Sequence, residues 1–417
     1  MITAVEIKEG VILALSSLKA NKFRSFMTIL GVFIGVASVI AMASIIAGLD
    51  NQVTKEIEGL GSNSIFVTKF PPDTDYGKLT EEERNRKPID YEATQAILQN
   101  CPSVDGVAPQ NYYRASGGNI VKYKNNQANS PSFFGTLPDY PRVTTRNVVR
   151  GRFFNDLDMQ RRAMVCVIGD DVAKALFPSE DPLLKQIRVN NRPFTVIGVM
   201  EKLDESMFND GGGNNNYVTI PYSTYEKLIP WEKELFLQVS AVSLDKMPQA
   251  IDEIITVMRR IRGVPYDKPN DFDVWTQDRL KDIAGDIAAV IYMISLSISG
   301  LGLLVGGIGV ANIMLVSVTE RTREIGVRKA LGARKVNILW QFLTEAMTLS
   351  GTGGVIGILF GILIAFIVKL IGNWPFTVSI VWIVIGFTVS VSVGLIAGVY
   401  PAYKAARTDP IISLRYE

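Results

Sequence analysis

Four long stretches of this 417-residue chain contain no charged side chain, and they constrain its fold more than any other feature. Each is longer than the ~20 apolar residues that a helix needs to cross the ~30 Å hydrocarbon core of a bilayer. The chain is therefore predicted to be an α-helical membrane protein with four transmembrane helices. The predicted spans are 25–49, 287–319, 346–368 and 376–402.

Several residue types that enzymes depend on are scarce or missing. The chain has no histidine, which excludes a Ser-His-Asp triad and the common histidine-based zinc sites. Its two cysteines are too few to form a zinc or iron–sulfur site by themselves. The only Gly-Lys pair, Gly77-Lys78, is followed by Leu79, so it is no Walker A loop. We therefore predict no catalytic, cofactor-binding or metal-binding residue, and any ATP and Mg²⁺ would be bound by another subunit.

The charges beside the predicted spans give an orientation. Segment 1–24, predicted to form an amphipathic helix, has four basic and two acidic residues, and 320–335 has six basic and two acidic residues. Positive flanks face the cytoplasm, so 1–24, 320–345 and the tail 403–417 are predicted to be inside. Segment 50–286 is then outside. Ala41-x-Ala43 could be a signal-peptidase site, but its apolar run is longer than a typical signal peptide's.

The predicted outer segment 50–286 is large enough for its own core and has an α+β pattern. A predicted strand at Ser64–Thr68 is followed by a helix at 90–99 with Asp90 as its N-cap. The same order of strand and helix is predicted again at Leu235–Val242 and Met247–Ile261. Between these units, residues of about 110–230 are rich in strands and turns, including a hairpin turn at Asn190-Asn191. They are predicted to form an inserted subdomain. Thr80–Lys87 and Gly211–Asn216 are predicted loops.

Cys101 and Cys166 both lie in this outer segment, where disulfides can persist. Cys166 falls within a predicted strand at Met164–Ile168, a common place for a small buried side chain. The sequence leaves open a disulfide and two buried thiols.

Apolar residues at helical spacing continue beyond the first span and begin before the second. They indicate helices that extend into water, where they would pack as a stalk or remain two separate amphipathic linkers. The predicted stalk residues are Val53, Ile57, Leu60, Leu280, Ile283 and Ile287.

Glycines recur at four-residue spacing inside the predicted spans, a pattern that lets helix backbones approach closely. The spans also lack ionisable residues of the kind that ion-coupled carriers place at mid-membrane, which argues against a proton-driven carrier. The glycines predicted to mediate helix packing are Gly31, Gly35, Gly302, Gly306, Gly353, Gly357, Gly361, Gly394 and Gly398.

The segment between spans two and three is predicted to form a short surface helix from Glu320 to Leu331, ended by Gly332. Its basic residues suit anionic headgroups, while its apolar residues equally allow docking to a protein. The candidate contact residues are Glu320, Arg321, Arg323, Glu324, Ile325, Arg328, Lys329, Ala330 and Leu331.

Three separate segments resemble the MacB-type (type VII) ABC transporter permeases, the superfamily that also includes FtsX and LolC/LolE. They are the opening segment Ala14–Ala37, the loop Asn312–Arg334 with the surface helix, and the tail Gly398–Glu417. The resemblance implies a permease of the bacterial inner membrane whose outer domain is a two-part periplasmic module. Since only 24 residues precede the first span, the chain looks like a stand-alone permease without the fused ATPase domain of MacB.

The resemblance also implies a mechanism. Two permease copies would pair with two ATPase subunits that bind the ATP and Mg²⁺, and the surface helix would contact these subunits. Motion would pass through the spans and stalk to the outer domain, exporting a drug, peptide or lipid-like molecule. No nucleic acid is implied, and use of a periplasmic adaptor and an outer-membrane channel stays open.

Two alternatives are retained. Within the superfamily, the permease could release lipoproteins or regulate cell-wall hydrolases, although FtsX-type chains usually have a smaller outer domain. In another class, the chain would be a membrane receptor or scaffold that transports nothing. A partner ATPase is the observation that separates a permease from a receptor.

Overall fold

The computed structural model describes residues 22–59, 61, 63–203, 215–372 and 376–414. The described residues form two compact units. The helical unit contains the described residues up to Gln52 and those from Gly285 onward, and the α/β unit contains Val53–Ala284. The predicted segment 1–24 and the predicted loop at Gly211–Asn216 lie largely outside the described residues.

Within the described residues, four helices are long and apolar enough to cross a membrane. Three of them extend beyond the predicted span at both ends, because the backbone hydrogen-bond ladder continues through polar residues. The fourth begins and ends a few residues later than predicted. Residues 335–345, predicted as the end of a cytoplasmic coupling loop or helix, belong to the third of these long helices, and Ile338 and Phe342 continue the buried stripe of Ala346 and Leu349. These helices are α1 (Lys22–Gly59), α9 (Gln277–Glu320), α11 (Lys335–Gly372) and α12 (Ile380–Arg407).

The predicted packing glycines lie where these helices approach one another. A Cβ atom on Gly306 of α9 would lie 2.6 Å from the backbone nitrogen of Val32 in α1. On α11, a Cβ on Gly361 would lie 2.8 Å from the carbonyl oxygen of Ala37. Gly394 and Gly398 of α12 similarly face Ala346 in α11. Helix α1 therefore packs against both α9 and α11 at near-backbone contact.

The α/β unit is built on one sheet of twelve strands within the described residues. Its order is β12-β1-β11-β2-β5-β10-β7-β9-β8-β3-β4, and β6 pairs with β9. Most neighbours are antiparallel, while β10 pairs parallel with β5 and β7 pairs parallel with β9. The strands are β1 (Ser64–Thr68), β2 (Val104–Tyr113), β3 (Ile120–Tyr123), β4 (Asn126–Asn129), β5 (Ser132–Thr136), β6 (Val148–Gly151), β7 (Val165–Ile168), β8 (Gln186–Val189), β9 (Arg192–Met200), β10 (Tyr217–Pro221), β11 (Phe236–Ala241) and β12 (Asp273–Thr276).

Local side chains define several helix ends and turns of this unit. Asp90 caps α3 by accepting a hydrogen bond from the Ala93 amide at 3.3 Å. Asn190 and Asn191 both have positive φ angles, as a type I′ hairpin turn requires. Thr80–Lys87 is not all loop, because Thr80 and Glu83 form a capping box that starts α2. The unit's α-helices are α2 (Glu81–Arg84), α3 (Tyr91–Asn100), α4 (Tyr140–Val143), α5 (Asp156–Gln160), α6 (Asp170–Leu176), α7 (Tyr222–Leu228) and α8 (Met247–Arg262).

The α/β unit has more than one hydrophobic core. One cluster joins Ile65 and Ile97 near the start of the unit with Leu237 and Ile254 near its end. A second cluster uses residues from Val121 to Ile229, such as Phe194, and so falls largely within the segment predicted to be an inserted subdomain.

Cys101 and Cys166 are buried free thiols that belong to these two different clusters. Burial raises the pKa of Cys101 to about 11, with a further contribution from Glu253. Burial also raises the pKa of Cys166.

Neither thiol should therefore react quickly with a thiol reagent at neutral pH, because the reactive thiolate is scarce and the sulfur atoms are enclosed. We expect no rapid reaction of the folded protein with dithionitrobenzoate and two reactive thiols after denaturation without reductant. Labelling of Cys101 should accelerate as the pH rises towards its pKa. Zero thiols after denaturation would instead indicate a disulfide.

Candidate functional site

The predicted surface helix is present between α9 and α11, with slightly different ends. It is α10, Thr322–Ala330, and Glu320 is the last residue of the preceding helix α9. Gly332 follows α10 with φ +100°, and its amide donates to the carbonyl oxygen of Lys329 at 3.0 Å. A left-handed glycine of this kind ends a helix without strain.

One buried side chain fixes α10 to the ends of the long helices. Ile325 is 1% exposed and packs in a cluster that includes Val318 of α9, Phe342 of α11 and Ala402 of α12. Ile325 was predicted to contact a partner, yet its side chain faces inward because α10 lies against three helices at once. Its burial makes α10 part of the helical unit's core.

Three basic residues of the predicted contact set interact within the helical unit. The Lys329 ammonium donates to the carbonyl oxygens of Ala406 and Thr408, at 2.6 and 2.7 Å. A cation there satisfies carbonyls at the C-terminal end of α12, where the helix dipole favours positive charge. Desolvation, followed by the charge of Lys335, lowers the pKa of Lys329.

The other two basic residues, Arg328 and Arg321, both contact α11. Arg328 donates to Gln341 of α11 at 2.8 Å and also pairs with Glu324. Arg321 pairs at 3.4 Å with Glu345, whose side chain is buried. The position of α10 therefore depends on polar contacts as well as on Ile325.

The chain's tail also belongs to this site, which the sequence reasoning missed. Helix α13, Pro410–Leu414, packs against α10 where Gly326 meets Ser413. Asp409 begins α13, since its carboxylate accepts a hydrogen bond from the Ile411 amide at 2.8 Å. The Asp409-Pro410 pair, an N-cap residue followed by proline, was the signal that could have predicted this helix.

Four exposed residues on and directly after α10 form what we call the docking face: Arg323, Val327, Ala330 and Leu331. Their spacing places them on one side of the helix. Leu331 is 83% exposed, and the neighbouring helix α13 exposes Ile411 and Ile412. Large exposed apolar side chains beside a basic one are typical of a site that contacts a protein partner or a membrane surface. Glu320 and Glu324 are also exposed.

The predicted stalk residues are only partly described. Val53 is buried, Leu280 and Ile283 are half-buried, and Ile287 is exposed. The side chain of Ile57 and all of Leu60 lie outside the described residues. The stalk remains a prediction.

The fold and the site define a multi-pass membrane protein with a large α/β unit between its first and second spanning helices. Residues 25–257 match the family model of the MacB-like periplasmic core domain, and residues 296–410 match the FtsX-like permease C-terminal model. The chain belongs to the MacB-type ABC transporter permeases.

Curated relatives extend across nearly the whole chain. A macrolide export ATP-binding/permease protein MacB of Marinobacter nauticus is 37% identical, over 98% of this chain and 61% of the relative. Its counterpart from Bdellovibrio bacteriovorus is 32% identical, over 96% of this chain and 60% of the relative. The chain thus spans about 60% of the length of these MacB relatives.

Two further similarities cover their counterparts almost completely. The uncharacterized ABC transporter permease YvrN of Bacillus subtilis is 33% identical, over 98% of this chain and 100% of YvrN. The solved periplasmic region of MacB from Actinobacillus actinomycetemcomitans covers 56% of this chain and 98% of that structure, with 20% identity and a TM-score of 0.45.

Proposed function

We propose that this chain is the permease subunit of an exporter driven by a separate ATPase subunit. ATP binding and hydrolysis in that partner would move α10, and through it the spanning helices and the outer domain. The exported molecule would be a drug, a peptide or a lipid-like compound. ATP and Mg²⁺ belong to the partner in this proposal, as they did in the sequence-based expectation.

The observation that carries the proposal is the attachment of α10. Ile325 anchors it in the core that α9, α11 and α12 share, and Lys329 ties it to the end of α12. A close-packed interior transmits displacement instead of absorbing it. A partner that pushes on the docking face would therefore move the inner ends of three spans together.

The assembly would contain two copies of this chain and two ATPase subunits within the bilayer. The four spans contain no acidic or basic residue within the described ranges 29–49, 287–319, 346–368 and 380–403. Uncharged spans favour mechanical work by the outer domain over a polar conduit between helices. The same assembly could include an adaptor and an outer-membrane channel.

Two other functions are testable against this one. A lipoprotein-releasing or hydrolase-regulating permease would use the same ATPase contact with a different outer partner. A receptor or scaffold would need no ATPase. The discriminating experiment is to co-express this chain with an ATPase encoded beside it and purify the complex from membranes. Co-purification with ATP hydrolysis stimulated by the chain supports the permease, whereas failure with every neighbouring ATPase contradicts it.

The proposed orientation of the chain in the membrane can be tested separately. With both termini cytoplasmic, a cysteine replacing the fully exposed Tyr266 of the α/β unit should react in intact cells with a membrane-impermeant maleimide. A cysteine replacing Leu331 should react only after the cells are opened. The native thiols provide a low background because both are buried. The reverse labelling pattern would contradict the proposed topology.

A further inference from the structure

An arginine and several tyrosines cluster on one face of the α/β sheet. The ring of Phe134 lies 5.0 Å from Tyr112, 5.6 Å from Tyr140 and 5.7 Å from Tyr217, measured between centroids. The strands explain this arrangement, because β5 lies between β2 and β10 and Tyr112 pairs in register with Phe134. The guanidinium of Arg146 stands 5.7 Å from the ring centre of Tyr217.

The charge of Arg146 has no carboxylate partner among the described residues. The nearby Arg142 contrasts with it, since Arg142 pairs with Asp105 at 2.7 Å. Burial raises the pKa of Tyr217, with a smaller contribution from the charge of Glu201. The two carboxylate oxygens of Glu201 accept hydrogen bonds from the amide and side chain of Asn147, at 3.0 and 3.1 Å. A half-buried guanidinium without a counter-ion is costly, and a cation–π contact offsets only part of that cost.

Two tyrosines lie close to this charge. The buried hydroxyl of Tyr217 lies beside Arg146, and its proton has no acceptor among the described residues. Tyr112 donates to the buried side chain of Gln110 at 2.5 Å, and 48% of the Tyr112 surface is exposed. The cluster therefore places a positive charge, with no carboxylate partner among the described residues, beside the ring of Tyr112 that reaches the surface.

We propose that this cluster binds a carboxylate carried by an apolar or aromatic organic molecule. The planar guanidinium of Arg146 matches a carboxylate in shape and can donate two parallel hydrogen bonds to it. The exposed ring of Tyr112, which packs on the buried ring of Phe134, would contact the apolar body. The negative charge of Glu201 near Tyr217 favours a monoanion over a dianion. This inference does not depend on the proposed transport function.

The test uses the full chain in lipid nanodiscs and isothermal titration with N-acetylphenylalanine. Its amide, N-acetylphenylalaninamide, keeps the apolar body and removes the charge. We expect saturable binding of the acid and at least ~10-fold weaker binding of the amide, as loss of a charge-assisted hydrogen bond predicts. Arg146→Gln should weaken binding of the acid to a similar degree.

Arg150→Gln is the matched control, because Arg150 is an exposed arginine on β6 and should leave binding unchanged. If Arg146→Gln fails to fold, Tyr112→Ser takes its place, since Tyr112 is 48% exposed and this change removes the ring that would contact the apolar body. It should weaken binding of the acid by several-fold. The proposal is overturned if the acid does not bind saturably, if the amide binds equally well, or if the variants bind like the parent.

Discussion

Gly306→Leu should prevent the helical unit from assembling stably, and Gly306→Ala should weaken it measurably. Even a methyl group at Gly306 would come 2.6 Å from the backbone nitrogen of Val32, and a backbone atom cannot rotate away. Overpacking of a tight contact costs ~1–3 kcal/mol, and leucine adds three more carbon atoms. We expect a clear loss of thermal stability in detergent for the alanine variant, and little folded protein for the leucine variant.

Gly300→Ala is the control within the same helix. A Cβ at Gly300 meets nothing within 4 Å, so this change adds a better helix former without a clash. Its melting temperature should equal or slightly exceed that of the parent chain. If Gly306→Ala and Gly300→Ala melted alike, close approach of α1 and α9 would not be what stabilises the helical unit.

The four spans could be predicted from the sequence because an uncharged, apolar stretch of 20 or more residues crosses a bilayer as a helix. A helix satisfies its own backbone hydrogen bonds where no water is present. Where each helix ends could not be predicted in the same way. Hydropathy marks the part of a helix that lies in hydrocarbon, whereas the helix itself ends only at a stop signal. No such signal stands between Lys335 and Ala346, so α11 begins about eleven residues before its predicted span.

The α/β unit shows which contacts local patterns can and cannot specify. Asp90 and the Asn190-Asn191 turn act on residues beside them, and the structure confirms both predictions. Pairing of β5 with β10 joins Ser132 to Tyr217, and no local pattern specifies that choice. The Arg146 cluster depends on this pairing, so it was invisible until the strands were placed.

The candidate site was found from its charge pattern, but the roles of its residues required the structure. Helical periodicity shows that Ile325 and Leu331 lie on different faces, without showing which face is buried. Ile325 belongs to the core and Leu331 is exposed. Lys329 looks like a surface cation in sequence, yet it binds the carbonyl oxygens of Ala406 and Thr408, which are 77 and 79 residues away.

Leu331→Ser should uncouple the proposed ATPase while leaving the chain folded. Membrane anchoring of α10 depends on its total charge, at ~1 kcal/mol for each basic residue near an anionic surface. This substitution leaves the charge unchanged. Docking to a protein depends instead on apolar area, and complete burial of a leucine contributes ~1.5–3 kcal/mol. We therefore expect at least a ~10-fold loss of affinity for the ATPase, with a matching fall in stimulated ATP hydrolysis.

Leu184→Ser supplies the matched control, because Leu184 is 80% exposed in the α/β unit and the chemical change is the same. It should leave both the complex and hydrolysis unchanged. Arg323→Gln tests the competing explanation, since it removes one exposed positive charge from the docking face and keeps Leu331. If Leu331→Ser bound and stimulated the ATPase normally while Arg323→Gln impaired stimulation in anionic membranes, the helix would act as an electrostatic membrane anchor. Loss of coupling in Leu331→Ser alone would assign the exposed end of α10 to the ATPase, because the two explanations differ in whether an uncharged side chain matters.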